Sequence, residues 1–275
     1  MNTLTAEPNY NHFDLFKGPS GCGKSVAALS YPNPYVFDFD RKMPGVARKH
    51  FPKKSIEYDT FDHPNDAAIK QEQFLASCPF ETLIYDSFTS MATTLVSALS
   101  SMIGESVPKQ MSRMIKEGLK KSGSGNEILD AINISIYNHE VRFFDYMMET
   151  AKMMWARPGN PKHIVFIAHV ISVESAPDLK TKVITKTRSV VTAGKKAAAI
   201  IPSKFDNVFM FAHREEGGMM IGGPDSSVKF LALTKHSGDD DAKTTYPIPD
   251  EIDFTNKSFF DEMNRQIAGR EMFNK

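Results

Sequence analysis

Gly18-Pro19-Ser20-Gly21-Cys22-Gly23-Lys24-Ser25 is the stretch on which the reading of this 275-residue chain turns. It fits the pattern G-x-x-x-x-G-K-[ST] at every fixed position. Glycines let a backbone turn tightly and bring its N–H groups onto an anion. The lysine, expected to be exposed, places a cation between the β and γ phosphates of a nucleotide. The hydroxyl that follows is a ligand for Mg2+. Residues 12–16 before the loop are strand-like, and Val26-Ala27-Ala28-Leu29 after it read as a short helix with its positive end toward the anion. The stretch therefore predicts a phosphate cradle for ATP and Mg2+.

Four acidic or imidazole groups stand where a nucleotide site would use them. Asp86 closes the apolar run Thr82-Leu83-Ile84-Tyr85 and is followed by Ser87. A carboxylate at the end of a strand beside such a loop holds Mg2+. Asp38 and Asp40 alternate with Phe37 and Phe39, which predicts that both end one strand and share a face. Asp40, taken as last on its strand, is the candidate to orient and deprotonate water, and a helix cap or a partner for Arg41 or Lys42 is the plainer role. His169 ends the run 163–168 and is the candidate sensor of the γ-phosphate.

Working outward, residues 12–16, 35–40, 81–86, 163–169, 207–212 and 228–233 read as strands, with 55–61 a further candidate. Helical patterns between the earlier ones predict an α/β fold, with a mostly parallel sheet and helices on both faces. Tyr137, Val141, Phe144, Met148, Ala151 and Trp155 form one apolar stripe, predicting a helix over 137–155. Further helices are expected over 108–121 and 258–272. The chain is expected to form one domain, with an insertion at about 88–136 and a turn-rich, then helical, tail over 236–275.

Composition narrows the class without naming it. Apolar residues make up 41%, enough for a sizeable core. Lys plus Arg and Asp plus Glu are 33 each, so bulk charge draws no nucleic acid and any basic surface must be local. Cys22 and Cys78 form no metal-ligand spacing and no disulfide framework, which fits a reducing, cytosolic compartment. Residues 1–11 carry neither an apolar run nor a basic segment, and no apolar stretch is long enough to span a membrane. A cytoplasmic protein without a membrane partner is expected.

In chain order, residues 18–25, Phe37-Asp38-Phe39-Asp40, Ile84-Tyr85-Asp86-Ser87 and Phe166-Ile167-Ala168-His169 resemble the motifs of RecA-like P-loop ATPases. More narrowly, the chain resembles the phage RecA-like AAA-type proteins of the Sak type, which act in single-strand annealing and recombination. The likeness spans residues 12–250. It implies a RecA-like core with the 163–169 strand between the loop strand and the Asp86 strand. It also implies DNA-stimulated ATP hydrolysis in a homo-oligomeric ring or filament, in the cytoplasm of a phage host. A single-strand-binding protein or a nuclease would be further partners. The chain departs from the family in having Asp40 where glutamate is usual, and Arg41-Lys42-Met43-Pro44-Gly45 where glycines are usual.

Lys180, Lys182, Lys186, Arg188, Lys195 and Lys196 follow His169 with no acid among them, and are the candidate contacts to single-stranded DNA. The stretch lacks aromatic side chains for base stacking, and a solvated hairpin is the plainer alternative. A basic stripe on 108–121 is a weaker candidate of the same kind. RecA-like ATPases complete their site with a cation from the neighbouring subunit, as the resemblance implies. Lys235 and Lys243 are the candidates here. Two other functions fit the motifs. In a small-molecule kinase, Asp38, Asp40, Arg41 and Arg48 would position the acceptor. In a nucleotide-dependent scaffold, hydrolysis would be vestigial.

Overall fold

The computed structural model describes residues 11–106, 126–157, 163–174, 186–192, 198, 200–216, 227–236 and 242–273. The helix expected over 108–121, Lys180, Lys182, Lys195 and Lys196 lie outside them.

The strands are β1 (His12–Gly18), β2 (Pro34–Asp38), β3 (Glu57–Thr60), β4 (Thr82–Asp86), β5 (His163–Glu174), β6 (Lys186–Val190), β7 (Asn207–Glu216), β8 (Ser227–Leu233) and β9 (Glu251–Asp253). The helices are α1 (Lys24–Leu29), α2 (Met43–His50), α3 (Pro64–Ala76), α4 (Phe88–Ser106), α5 (Asn126–Trp155) and α6 (Phe259–Phe273). The sheet order is β3-β2-β4-β5-β1-β7-β8-β9, with β6 paired to β5. Strands β3, β2, β4, β5, β1 and β7 are mutually parallel, and β8 and β9 extend the sheet antiparallel. Strand β5 lies between β4 and β1, as the resemblance implies.

The strand runs are apolar on both sides because helices cover both faces. Phe13, Leu15, Leu83, Tyr85, Ile164, Phe166 and Ala168 join one core, with Phe144, Met147, Met148 and Ala151 of α5. Their sequence neighbours Phe16, Ile84, Val165 and Ile167 join the other, with Ala27 and Leu29 of α1 and Met263 and Ile267 of α6. A row of stacked rings crosses the sheet at one register. Phe37 lies on Tyr85 at 4.5 Å, Tyr85 on Phe166 at 4.1 Å, and Phe166 on Phe88 at 4.7 Å. Offset stacks of this kind add to the burial of the rings themselves.

Several boundaries differ from expectation. Strand β1 runs two residues further, to Gly18, so the loop springs directly from its end. Strand β2 stops at Asp38, not Asp40. The backbone N–H groups of Phe39 and Asp40 both turn to the Asp86 carbonyl, at 2.7 and 3.2 Å, and this bends the chain toward β4. Strand β5 does not end at His169. Gly18↔His169 is its last pair with β1, and beyond it β5 continues to Glu174 against β6. Helix α5 begins at Asn126, well before the expected 137.

Candidate functional site

The 18–25 loop joins β1 to α1 in the conformation its glycines allow. Gly21 and Gly23 have φ of 80° and 89°, values that side chains rarely adopt. At Gly18 the constraint is space, since a Cβ there would sit 2.4 Å from the Phe211 carbonyl oxygen on β7. Cys22 is fully buried, and its thiol donates to the Pro19 carbonyl at 2.9 Å. Burial pushes that thiol up, so Cys22 is a packing residue of the loop and not a reactive one.

Lys24 is buried, contrary to expectation. Its Nζ donates to the carbonyls of Gly18 at 2.8 Å and Pro19 at 2.6 Å, so the ammonium is folded back into the curve of its own loop. Burial lowers its pKa, and the neighbouring Cys22, Asp86 and Asp40 oppose the shift. Helix α1 has only six residues. Its contribution to anion binding is small, and the loop N–H groups with Lys24 would carry most of it. Its far end is closed by Lys54, whose Nζ donates to the carbonyls of Leu29 and Tyr31 at 2.7 and 2.6 Å.

The Ser25 hydroxyl donates to the Asp86 carboxylate at 2.7 Å. Burial raises the Asp86 pKa to about 6. The Ser25 hydrogen bond opposes this, and the charges of Asp40 and Asp38 add to it. Asp38, beside Asp86 in register, is buried and accepts from the backbone N–H groups of Lys42 and Met43 at 3.3 and 2.9 Å. It therefore closes the first turn of α2. Asp38 and Asp40 therefore do not share one strand face, because β2 ends at Asp38.

Asp40 lies two residues past β2, with its side chain 5% exposed. Ser87, at 3.0 Å, and Ser90 both donate to it, Lys42 stands at 3.3 Å, and His169 Nε2 is 3.6 Å away. Burial alone would raise its pKa. His169, Ser90, Lys42 and Ser87 together outweigh burial and hold the carboxyl well below the usual range. Thr89 ties the same turn of α4 to β5, because its hydroxyl accepts from the His169 N–H at 3.1 Å and donates to the Val191 carbonyl at 3.2 Å.

Lys24, Ser25, Asp40, Asp86 and His169 thus line one cleft of about 370 Å³. Its opposite wall is α2, through Val46, Lys49 and His50, with Lys42 just before the helix. Lys49 and His50 went unread in the sequence, although with Lys42 and Val46 they fall at the i, i+4, i+7, i+8 spacing of one helix face. Ser90 and Thr89 carried no signal, because their roles arise only when α4 docks at the end of β4.

The remaining candidates lie elsewhere. Arg188 faces a separate groove with Pro19 and His213, and only the backbone of Lys186 is described, paired with Glu174. Lys235 follows β8 and pairs with Asp250 at 2.5 Å. Lys243 is exposed, in a bridge to Val208. Because β8 runs antiparallel to β7, its end at Lys235 points to the sheet edge opposite the loop. Neither lysine joins the cleft of its own chain.

Among the described residues no cluster of three His, Cys, Asp or Glu side chains forms a metal site. The hard oxygens of Ser25 and Asp86 are the kind of donor Mg2+ takes when phosphates and water supply the rest. No described helix is long and apolar enough to cross a membrane. The sequence matches no protein family, and no curated protein matches it. Among solved structures the chain is similar to the flagellar accessory protein FlaH from Methanocaldococcus jannaschii. That likeness has 12% identity and a TM-score of 0.38, and covers 89% of this chain and 85% of that one. A likeness this loose specifies no chemistry.

Proposed function

We propose that this chain binds ATP with Mg2+ in the Lys24–Asp86 cleft and hydrolyses it slowly, as a RecA-like P-loop ATPase. The observation that carries the reading is the buried ammonium of Lys24, curled onto the loop carbonyls of Gly18 and Pro19 beside the Ser25–Asp86 pair. Lys24 would hold the β and γ phosphates, and Ser25 and Asp86 would hold the metal, directly or through water. Mg2+ supplies neutralisation of the phosphate charge when bound. Asp40, kept ionised by its donors, would orient the attacking water. A carboxylate held so far toward its charged form is a weak base, so its contribution is orientation more than proton removal. Phosphoryl transfer through a loose transition state asks little of a base. His169, against Asp40, would sense the γ-phosphate.

Single-stranded DNA is proposed as the polymer partner, with Lys180, Lys182, Lys186, Arg188, Lys195 and Lys196 as phosphate contacts. The support is the run of six cations without an acid and the Thr89 link from His169 to the strand end beside Arg188. Assembly into homo-oligomers, with Lys235 or Lys243 offered to a neighbour's cleft, belongs to the same proposal, as do a recombination or annealing role and a phage source. Phosphate release from ATP, measured with and without single-stranded DNA, tests it. Turnover raised by DNA supports the reading. Turnover that needs a small-molecule acceptor would replace it with a kinase, and binding without turnover with a scaffold.

A further inference from the structure

The segment Arg41-Lys42-Met43-Pro44-Gly45, which stands where the resembling family has glycines, brings a cation to the cleft. Arg41 pairs with Asp62 and does not line the cleft. Lys42 does. Its backbone is fixed on both sides. The N–H donates to Asp38 at 3.3 Å, and the carbonyl accepts from the N–H groups of Gly45 and Val46 at 3.1 and 3.2 Å. Its side chain is 64% exposed, so the tip can move without disturbing the core. The ammonium stands 3.3 Å from Asp40 Oδ2, the same oxygen that His169 Nε2 faces at 3.6 Å. Ser87 and Ser90 hold the other oxygen, Oδ1, from the start of α4.

A lysine paired with a surface carboxylate adds little to stability. Asp40 is not a surface carboxylate, because its side chain is 5% exposed and lines the cleft. A γ-phosphate brought beside ionised Asp40 would set two negative charges together, which disfavours both. An ammonium between them turns that clash into an alternating row of charge. Lys24 already reaches the cleft from the loop, and Lys42 stands on the opposite wall. We propose that Lys42 is a catalytic cation of this chain's own, which passes from Asp40 to the γ-phosphate when ATP binds. This rests on the ATP-site reading above. Where the resemblance implies a cation from a neighbouring subunit, this chain supplies one in cis, and basal turnover needs no neighbour. In the reaction the water oxygen bonds to the γ-phosphorus as the bond from that phosphorus to the bridging oxygen breaks. The electron pair stays on ADP, and the water proton leaves with the released phosphate. Negative charge is spread over the γ oxygens meanwhile, and Lys42 donates hydrogen bonds to them without giving up a proton.

Steady-state phosphate release, with titrations of ADP alone and of ADP with aluminium fluoride, tests the assignment. Lys42→Met keeps the length of the side chain and removes its charge. It should lower kcat about 10²- to 10³-fold and leave KM within about threefold of wild type. Lys42→Arg should recover most of that loss. With Mg2+, wild type should bind ADP more tightly when aluminium fluoride mimics the phosphoryl group in transfer. Lys42→Met should erase most of that gain and leave the affinity for ADP alone unchanged. It should do so in an Asp40→Asn background as well, whereas a lysine that acts only by holding Asp40 would add nothing there. Mixing Lys42→Met chains with Lys24→Ala chains, which keep Lys42 but lack a working loop, should restore no turnover. Recovery on mixing would overturn the cis assignment, and wild-type turnover in Lys42→Met would overturn the role itself. ATP binding without turnover in wild type would overturn the ATPase reading and this inference with it.

Discussion

The Ser25 hydroxyl hydrogen-bonds the Asp86 carboxylate at 2.7 Å, across the gap between the first turn of α1 and the end of β4. Burial raises Asp86 to about 6, so a proton would compete near neutral pH with the metal proposed there. Mg2+-dependent ATP affinity should fall as pH drops through about 6. The acid limb of the hydrolysis profile should follow Asp86 and not Asp40, whose carboxyl stays ionised far lower. Titrations at pH 5, 6, 7 and 8 check this. Flat affinity across the series would show that Asp86 does not meet the metal.

Lys24→Ala should abolish productive ATP binding. The ammonium is buried among carbonyls of its own loop, so its loss leaves those carbonyls facing an anion with no cation between. The fold should survive, because the sheet does not depend on it. Circular dichroism and a nucleotide titration on the same sample give both answers. Unchanged ATP affinity in a folded variant would refute the assignment.

Asp40→Asn should keep ATP binding and cut turnover by about 10²- to 10⁴-fold. Ser90→Ala removes one of the donors that fix the carboxylate. It should lower kcat about tenfold, a loss worth ~1.4 kcal/mol, with KM unchanged. Ser90→Thr, which restores the hydroxyl, should recover most of that loss. Steady-state phosphate release separates the effects, and equal turnover in wild type and Asp40→Asn would place the water-orienting group elsewhere.

Asp14, at the other end of β1, is fully buried. It accepts from Tyr31 at 2.8 Å and Asn207 at 2.8 Å, with His12 Nδ1 at 3.6 Å. Burial raises its pKa from 3.8 to about 7, against those two hydrogen bonds and with the charge of Asp206 adding. A raised acid pKa means that the folded state holds the proton more tightly than the unfolded chain. Stability from this group is therefore complete below about pH 4 and is lost as pH rises to about 7, by up to about 4 kcal/mol. Asp14→Asn can keep both neighbours, with Asn207 donating to its oxygen and its amide donating to Tyr31. The variant should be the more stable protein at pH 8, and its advantage should vanish near pH 4. Urea melts at the two pH values measure the difference.

Parts of this architecture were plain in the sequence. The spacing of residues 18–25 is itself the chemistry, so the loop could be placed without a fold. The apolar runs located most strands because both faces of the sheet are covered. What escaped was decided at a distance. Nothing local says that β2 ends at Asp38, because the Asp86 carbonyl makes that turn by taking two N–H groups. Lys24 was expected in solvent because the pattern names the residue but not the carbonyls it folds against. Strand β9 has three residues, too few for an alternation to show. Ser90 and Thr89 are ordinary helix residues until α4 brings their hydroxyls to Asp40 and His169.

Lys54 draws the last consequence. A helix of six residues offers too few internal hydrogen bonds to hold itself in water, and α1 is that short. The carbonyls of Leu29, its last residue, and of Tyr31 just beyond it end on one ammonium, supplied by the crossing between α2 and β3. That lysine acts as a splint. It lines no part of the Lys24–Asp86 cleft, yet it ties down the chain that leaves α1 behind Lys24 and Ser25. A chain can therefore carry a perfect phosphate pattern and still lose its grip on phosphate through a residue that the pattern never mentions.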